Sequence, residues 1–135
     1  MINYKEIKNI DSNKIKDLYD DAGWIAYTED IPKLMRGIEN SKDVITAWEK
    51  NELIGLIRTV GDGETILYIQ DILVKKNHKR KGIGTQLLNL ILDKYTHVRH
   101  KVLLTDKTAE TKGFYESYGF KQSDSFDLVS FVKFD

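Results

Sequence analysis

The stretch ILYIQDILVKKNHKRKGIGTQLLNLIL, Ile66 to Leu92, decides the fold. The run from Ile66 to Val74 is almost wholly apolar, which predicts a buried strand. Apolar side chains then recur at helical spacing from Ile83 onward, which predicts a helix. Between them lies a basic loop, Lys75 to Lys81, followed by Gly82-Ile83-Gly84. Strand, glycine turn and helix together indicate the first part of a β-α-β unit.

Turn and cap signals divide the preceding sequence into a strand, two helices and two further strands. Asp11 or Ser12 can cap the first helix, and Gly23 ends it. Pro32 suits the first turn of the second helix, and Asp62-Gly63 is a strong turn signal before the fourth strand. The predicted elements are a strand at 2–7, a helix with Ile15, Leu18 and Tyr19 on one side, a helix at 31–39, and strands at 43–49 and 53–60.

The sequence after the central helix predicts one more strand and helix, and then a closing strand. A strand spans Lys101 to Thr105, Thr108 can cap a helix that runs to Glu116, and Phe126 to Phe134 has the composition of a final strand. The order β-α-α-β-β-β-α-β-α-β-β predicts a mixed α/β fold around a central mixed sheet. A length of 135 residues fits a single domain over residues 1–135.

Composition excludes several classes of function. Lys plus Arg equals Asp plus Glu, 21 against 21, so no overall field attracts nucleic acid or a membrane. The absence of cysteine excludes disulfides, thiolate metal sites and cysteine nucleophiles. No apolar run is long enough to span a membrane, and MINYKEIKNI at the start lacks the apolar core of a signal peptide. We therefore expect a cytoplasmic protein with no membrane or nucleic-acid partner.

The basic loop has the composition of a phosphate site. The first N–H groups of a helix have no intrahelical partner, and the helix dipole favours an anion there. Gly82 and Gly84 carry no side chain, so a phosphate could approach the amides closely. A helix start beside a solvated basic loop explains the same residues, and the loop alone leaves both interpretations open.

Other nucleotide and nucleic-acid motifs fit less well. The Gly-x-x-x-x-Gly-Lys-Ser/Thr pattern of a P-loop is absent, and Leu87 stands where a dinucleotide fingerprint has its third glycine. Binding of nucleic acid is another use for a basic loop, but no aromatic residues are interleaved with these charges. A phosphorylated cofactor is therefore the favoured ligand.

A second motif, TAETKGFYESYGF from Thr108 to Phe120, carries aromatic residues at helical spacing. Phe114 and Tyr118 share one helix face, and aromatic packing is the favoured interpretation for both. Tyr115 is turned away from Phe114 by one residue, and a phenol with a pKa of about 10 can donate a proton to a leaving thiolate. In combination with the glycine loop, Tyr115 is a candidate general acid.

Together the two motifs resemble the GNAT superfamily of N-acetyltransferases over nearly the whole chain. That family has a Gln/Arg-x-x-Gly-x-Gly/Ala loop after its fourth strand, and Lys79-Arg80-Lys81-Gly82-Ile83-Gly84 matches it except at Lys79. Phe114-Tyr115 and Gly119-Phe120 match a second family motif, in which Asn and Ala are common where Thr108 and Thr111 stand. The order of the predicted elements matches as well.

The resemblance implies acetyl-CoA as cosubstrate, no metal, and a sheet that splays between its fourth and fifth strands. The backbone of Ile72, Leu73 and Val74 would pair with the pantetheine arm, as an added strand would. Tyr115 matches the residue that protonates the departing sulfur. The segment from Gly23 to Val44, followed by LIGLIRTVGDG and IQDILV, looks more specifically like a branch that includes plant serotonin N-acetyltransferases. The pyrophosphate would lie on the loop residues Lys79, Arg80, Lys81, Gly82, Ile83, Gly84 and Thr85.

Asp71 is the nearest carboxylate on the cofactor strand and is a candidate general base, acting directly or through water. Strict alternation puts Tyr68, Gln70 and Ile72 on the face opposite Asp71, and a bulge in this strand would shift that count by one. An outward Asp71 satisfied by solvent or by a lysine is the alternative.

In this family the first two helices and their connection form the floor of the acceptor pocket. Trp24 and Tyr27 lie there, and an aromatic, acidic patch would attract a small cationic amine. Two core aromatics beside a solvated acidic helix face are the alternative. The acidic residues of this region are Asp17, Asp20, Asp21, Glu29 and Asp30.

These observations predict an N-acetyltransferase that moves an acetyl group from acetyl-CoA to a primary amine, with a small-molecule acceptor favoured. The resemblance implies direct attack by the amine, with Tyr115 as general acid. A protein acetyltransferase acting on lysine or N-terminal amines and a non-catalytic module that senses acyl-CoA are the alternatives. We expect a monomer or a homodimer.

Overall fold

The structure, a computed structural model, describes all residues from Met1 to Asp135. The mixed α/β fold predicted from the sequence is confirmed. The strands are β1 (Ile2–Glu6), β2 (Asp43–Glu49), β3 (Glu52–Gly61), β4 (Ile66–Val74) and β5 (His100–Leu103). The α-helices are α1 (Ser12–Asp21), α2 (Ile25–Thr28), α3 (Ile31–Glu39), α4 (Ile83–Lys94) and α5 (Ala109–Glu116).

The strands form one sheet in the order β1-β2-β3-β4-β5. Neighbours from β1 to β4 are antiparallel, whereas β4 and β5 are parallel because α4 connects them. The parallel pairing joins Ile66–Ile69 to His100–Leu103 and ends there. The remainder of β4, Gln70–Val74, has no partner on the β5 side. The sheet therefore opens between its fourth and fifth strands, as expected.

A β-bulge lies in β4 where this opening begins. Arg58 of β3 pairs with Asp71, but the next residue of β3, Thr59, pairs with Ile69. Gln70 is therefore an extra residue without a partner in β3. Because Arg58 and Thr59 face opposite sides of the sheet, Asp71 and Ile69 also do, although they are two residues apart. The bulge that the sequence analysis considered is present.

Helices cover both faces of the sheet. Leu18 of α1 and Leu34 of α3 pack with Leu56 of β3 in one core cluster. Gly55 precedes Leu56 and so faces the other side, where an added Cβ would lie 3.1 Å from Ile83 of α4. Removing a fully buried side chain such as that of Leu18 would cost about 2–5 kcal/mol of stability.

The predicted caps and turns are present. Asp11 caps α1, and its carboxylate accepts a hydrogen bond from the Asn13 N–H at 2.8 Å. Gly23 follows α1 with a φ of 78°, a conformation that favours glycine. The carboxylate of Asp62 accepts three backbone N–H bonds in the turn before β4, where Gly63 has a φ of 74°.

Two elements differ from the prediction. The one-turn helix α2 was not predicted, because a single turn shows no periodicity. The closing strand predicted from Phe126 to Phe134 is absent: a 3-10 helix spans Ser123–Phe126, and residues 127–135 form no regular element. Phe131 is 94% exposed and Phe134 is 89% exposed. The apolar pattern alone does not supply the neighbouring strand that a strand needs.

The chain divides into two compact units, Met1–Leu103 and Leu104–Asp135. The first contains the sheet and α1 to α4, and the second contains α5 and the tail. The expectation of a single domain stays a prediction. None of the helices combines the length and the apolar character required to cross a membrane.

Candidate active site

The loop predicted to bind phosphate joins β4 to α4 and ends in a left-handed turn. A 3-10 helix, Lys76–His78, follows β4 directly. Arg80 then has a φ of 67°, and Gly82, the residue before α4, has a φ of 77°. Positive φ is uncommon for a residue with a side chain, so the loop adopts a specific turned backbone rather than an extended one.

This turn leaves a row of backbone donors without acceptors. No protein group accepts a hydrogen bond from the N–H groups of Arg80–Gly84, and the Gln86 N–H donates to the Gly82 carbonyl at 3.0 Å. The side chains of Lys79–Lys81 are exposed beside these donors, and Thr85 lies on the exposed first turn of α4. Free N–H groups, the helix dipole and three cations together favour an anion such as a diphosphate.

Gly82 is required by its conformation rather than by lack of space. A Cβ built at this position would meet no atom within 4 Å. The positive φ of Gly82 is nevertheless one that costs an L-residue roughly 1–2 kcal/mol. The glycine therefore permits the turn that aims the N–H groups outward.

Lys75, the first residue of the basic loop, is engaged by acidic side chains. Its side chain is buried, and its Nζ lies 2.6 Å from Asp17 Oδ2 and 2.9 Å from Glu52 Oε2. Burial lowers the pKa of Lys75, but the two carboxylates outweigh burial and raise it, so the ammonium stays charged. These two ion pairs link the start of the loop to α1 and β3. They also neutralise the charge of Lys75.

The strand segment predicted to contact the cofactor follows the bulge. Leu73 is buried in the core, whereas Ile72 and Val74 are half-buried. On one side these residues pair with β3, and on the other side β5 has already ended. Their backbone is therefore available to an extended ligand, and pairing with pantetheine stays a prediction.

Asp71 is the centre of a buried polar network. Its Oδ2 accepts hydrogen bonds from Arg58 Nε and from the Tyr19 hydroxyl, the latter at 2.9 Å. Its Oδ1 accepts a hydrogen bond from the Tyr27 hydroxyl, also at 2.9 Å. Burial and the nearby carboxylate raise the pKa values of both tyrosines, so each phenol keeps the proton that it donates. Tyr27 in turn accepts a hydrogen bond from Gln70 Nε2 at 2.8 Å.

This environment decides between two interpretations of Asp71. The outward, solvated carboxylate is wrong, because the residue is only 2% exposed. The general-base role stays a prediction. The carboxylate is already engaged by three hydrogen-bond donors, one of them in the ion pair with Arg58.

Trp24 and Tyr27 lie at the exposed margin of this network. Both are half-buried, and their ring centroids are 6.1 Å apart. Most of the acidic residues around them are engaged elsewhere: Asp17 with Lys75, Asp20 with Lys16, Asp21 with the Lys76 N–H, and Asp30 with the Lys33 N–H. The region is therefore aromatic and polar but less acidic in effect than its sequence indicates.

Tyr115 lies in the second unit, on α5. Its ring is largely buried and makes edge-to-face contacts with Phe114 and Phe120, at centroid distances of 5.0 Å and 5.9 Å. Burial raises the pKa of Tyr115 to about 12, so the phenol is protonated at neutral pH. No protein group accepts its hydrogen, which leaves the proton available for transfer.

The sequence analysis did not single out Arg58 or Gln70. Arg58 is only 7% exposed, and it occupies the middle of the apolar strand LIGLIRTV. A charge in such a strand requires a buried partner, and that signal could have linked it to Asp71. Gln70 carries no comparable signal in the sequence, because its exposed, unpaired position results from the bulge in β4. In addition, no cluster of three or more His, Asp or Glu side chains is placed to bind a metal ion.

Known proteins support the same architecture. A family described as an acetyltransferase (GNAT) domain matches residues 16–132. A GNAT-family acetyltransferase of Streptococcus pneumoniae is 27% identical, with a TM-score of 0.88 over 100% of this chain and 98% of that one. An aminoglycoside acetyltransferase from an uncultured soil sample, solved with sisomicin, has 20% identity and a TM-score of 0.71 over 98% of this chain and 95% of its own.

A Gibberella zeae protein designated an acetyltransferase is 34% identical over 86 residues, which are 62% of this chain and 46% of that protein. The match thus spans less than half of that relative. The family match covers most of the chain, so this chain belongs to the GNAT acetyltransferase family. The more specific likeness to the plant serotonin branch is not borne out by these comparisons.

Proposed function

We propose that this chain is an N-acetyltransferase that transfers an acetyl group from acetyl-CoA to a primary amine, with a small molecule as the favoured acceptor. The observation that carries the proposal is the row of N–H groups at Arg80–Gly84, which no protein atom accepts, at the start of α4. It follows a strand segment, Gln70–Val74, whose backbone is open on one side. A diphosphate on the former and an extended pantetheine on the latter fit one ligand, coenzyme A.

The proposed reaction is a direct transfer. The amine nitrogen attacks the thioester carbonyl carbon, a C–N bond forms, and the C–S bond breaks. The departing thiolate takes the phenolic proton of Tyr115, and the nitrogen loses one proton to a base or to water. Positioning the two reactants in this way can contribute several kcal/mol to the rate.

Tyr115 meets one requirement of a general acid, a proton that is present at neutral pH. Its pKa of about 12 keeps the proton on the phenol at neutral pH, and its hydroxyl donates to no protein group. The phenolate left after transfer can recover a proton from water before the next turnover.

The acceptor side favours a small amine. Trp24 and Tyr27 provide a half-buried aromatic surface next to the polar network, which suits a compact amine with an apolar body. The structural neighbour described as an aminoglycoside acetyltransferase was solved in complex with sisomicin, a small molecule, which supports this choice. Transfer to a lysine or N-terminal amine of a protein is the competing acceptor class.

The test is to mix the purified chain with acetyl-CoA and a broad panel of amines, including peptides with free lysine or N-terminal amines. We expect free CoA to appear together with an N-acetyl product, identified by mass. Thermal stabilisation by CoA without any transfer would instead indicate a sensing module. Failure to bind CoA at all would overturn the proposal.

A further inference from the structure

The side-chain amide of Gln70 lies where the sheet opens between β4 and β5, and its hydrogen bond to Tyr27 determines its orientation. We infer that Gln70 contacts the acceptor amine through its Oε1 atom, and that Tyr27 is the positioning residue that orients it. The inference rests on the proposed acetyltransferase function. Gln70 comes from the bulge in β4, and Tyr27 comes from α2.

The position of Gln70 is the first part of the argument. It is the bulge residue, so it has no partner in β3, and the pairing of β4 with β5 ends at the preceding residue, Ile69. Its side chain is exposed although its strand neighbours Ile69 and Asp71 are buried. Gln70 is therefore the first side chain of β4 at the point where the sheet opens.

The hydrogen bonds then fix which end of the Gln70 amide points outward. The Tyr27 hydroxyl donates its only hydrogen to Asp71 Oδ1 at 2.9 Å. Its oxygen can therefore only accept, and it accepts from Gln70 Nε2 at 2.8 Å. Gln70 Oε1 receives no hydrogen bond from the protein, so it is the free end of the amide.

Arg58 contacts both the ring and the hydroxyl of Tyr27 and helps to hold this side chain in place. Its guanidinium carbon lies 5.6 Å from the centre of the Tyr27 ring, and its Nη2 lies 3.5 Å from the Tyr27 hydroxyl. Helix α2 has only four residues and would not be stable on its own. The polar contacts from Arg58 and Asp71 to Tyr27 add to its edge-to-face contact with Tyr19, at 5.3 Å, in holding this helix.

A free amide oxygen suits a primary amine at this point. A neutral primary amine has two N–H donors and one lone pair. An acceptor that binds an N–H restricts the rotation of the amine and helps to direct the lone pair toward the thioester carbonyl. Because Arg58 and Asp71 neutralise each other, the network does not hold a surplus charge that would bind the ammonium form. The amine can then attack in its neutral form.

The experiment compares four variants of the full chain, with the best acceptor found in the amine panel. They are Gln70→Leu, Tyr27→Phe, the double variant of these two, and Tyr19→Phe as the matched control. Tyr19→Phe and Tyr27→Phe each remove one phenol that donates to Asp71 at 2.9 Å, but only Tyr27 also contacts Gln70. If Tyr27 had a purely structural role, its loss of kcat/KM would add to that of Gln70→Leu in the double variant.

We expect kcat/KM for the amine to fall about tenfold in Gln70→Leu and in Tyr27→Phe, as the loss of one well-placed hydrogen bond implies. The KM for acetyl-CoA should not change. The double variant should match Gln70→Leu alone, because Tyr27 acts through Gln70. Tyr19→Phe should lose thermal stability as Tyr27→Phe does, with a smaller loss of kcat/KM for the amine.

Equal kinetics in the two tyrosine variants, or additive losses in the double variant, would overturn the inference while leaving the proposed function intact. Absence of transfer by the unmodified chain to every amine would overturn the proposed function and this inference with it. Side-chain amide NMR signals of Gln70 give an independent measure, since Tyr27→Phe should shift them and Tyr19→Phe should not.

Discussion

Arg58 of β3 and Asp71 of β4 are direct neighbours across the two strands and form an ion pair whose side chains are 8% and 2% exposed. Burying two charges is costly, and the cost is offset only while both partners are present and hydrogen-bonded. Here the carboxylate also receives two tyrosine hydroxyls. The pair therefore connects the middle of the sheet to α1 and α2.

Replacing one partner should destabilise the protein strongly. For Asp71→Asn or Arg58→Met we expect a loss of roughly 3–5 kcal/mol, because an unpaired polar or charged group is left buried. Urea unfolding measures the change. Lys133→Met, which breaks an ion pair with Asp135 between side chains 83% and 80% exposed, is the control and should have no measurable effect. A loss below about 1 kcal/mol in both core variants would show that the pair is not truly buried.

Gly82→Ala should weaken binding of acetyl-CoA. The added Cβ meets nothing within 4 Å, but the φ of 77° costs an L-residue about 1–2 kcal/mol and should turn the N–H groups away from the ligand. Gly23→Ala is a matched control, because Gly23 has a φ of 78° and the same open surroundings. Calorimetric titration should show about tenfold weaker binding for Gly82→Ala only, with comparable losses of stability in both. Equal affinities would remove Gly82 from the cofactor site.

Tyr115→Phe should slow turnover without loss of cofactor affinity. The variant keeps the ring that packs on Phe114 and Phe120 and removes only the phenolic proton. Loss of a general acid typically costs about 10²–10⁴-fold in rate. Tyr118→Phe, which removes a phenol from the same segment, serves as the control. Steady-state kinetics and a separate binding titration distinguish the two effects, and an unchanged kcat would rule out the acid role.

Asp43 should contribute to stability in a pH-dependent manner. Burial opposes its ionisation, but hydrogen bonds from Lys94, Tyr95 and Thr59 outweigh burial and lower its pKa below the ordinary 3.8. A carboxyl whose pKa is lower in the folded state stabilises the protein above its unfolded pKa, and the effect is lost as the pH falls through the folded value. Asp43→Asn should therefore be less stable than the unmodified chain at pH 7.

The difference between the two proteins should then shrink as the pH falls below about 4, the ordinary range of an aspartate. Denaturant unfolding at a series of pH values measures it. Asp124→Asn, at an exposed position in the second unit, controls for the general effect of acid on the chain. A constant difference across the whole pH range would contradict the assignment.

Local chemistry made much of the fold predictable. Asp11, Gly23 and Asp62 each act within a few residues of their own position, so capping and turn rules sufficed to place helix ends and a hairpin. The spacing of Leu87 and Leu88 likewise predicted α4, because a helix face is a local pattern. These signals do not depend on which other segment lies nearby.

The features that the sequence did not predict depend on contacts between residues that are far apart in the chain. Phe126 to Phe134 has the composition of a strand, but a strand forms only where another offers its backbone. The environment of Asp71 depends on Arg58, Tyr19 and Tyr27, which lie 13 to 52 residues away. A single residue inserted at Gln70 reverses which face the neighbouring side chains occupy, and no local rule predicts that insertion.

The early end of the pairing between β4 and β5 has a further consequence for solubility. An unpaired strand at the perimeter of a sheet can recruit a strand from any other protein, which is a route to aggregation. Here the open backbone is confined to Gln70–Val74, which begins where the pairing with β5 ends. Short edges are one way in which proteins limit such pairing, so the segment can keep hydrogen-bonding capacity for an extended ligand and still offer little of it to other chains.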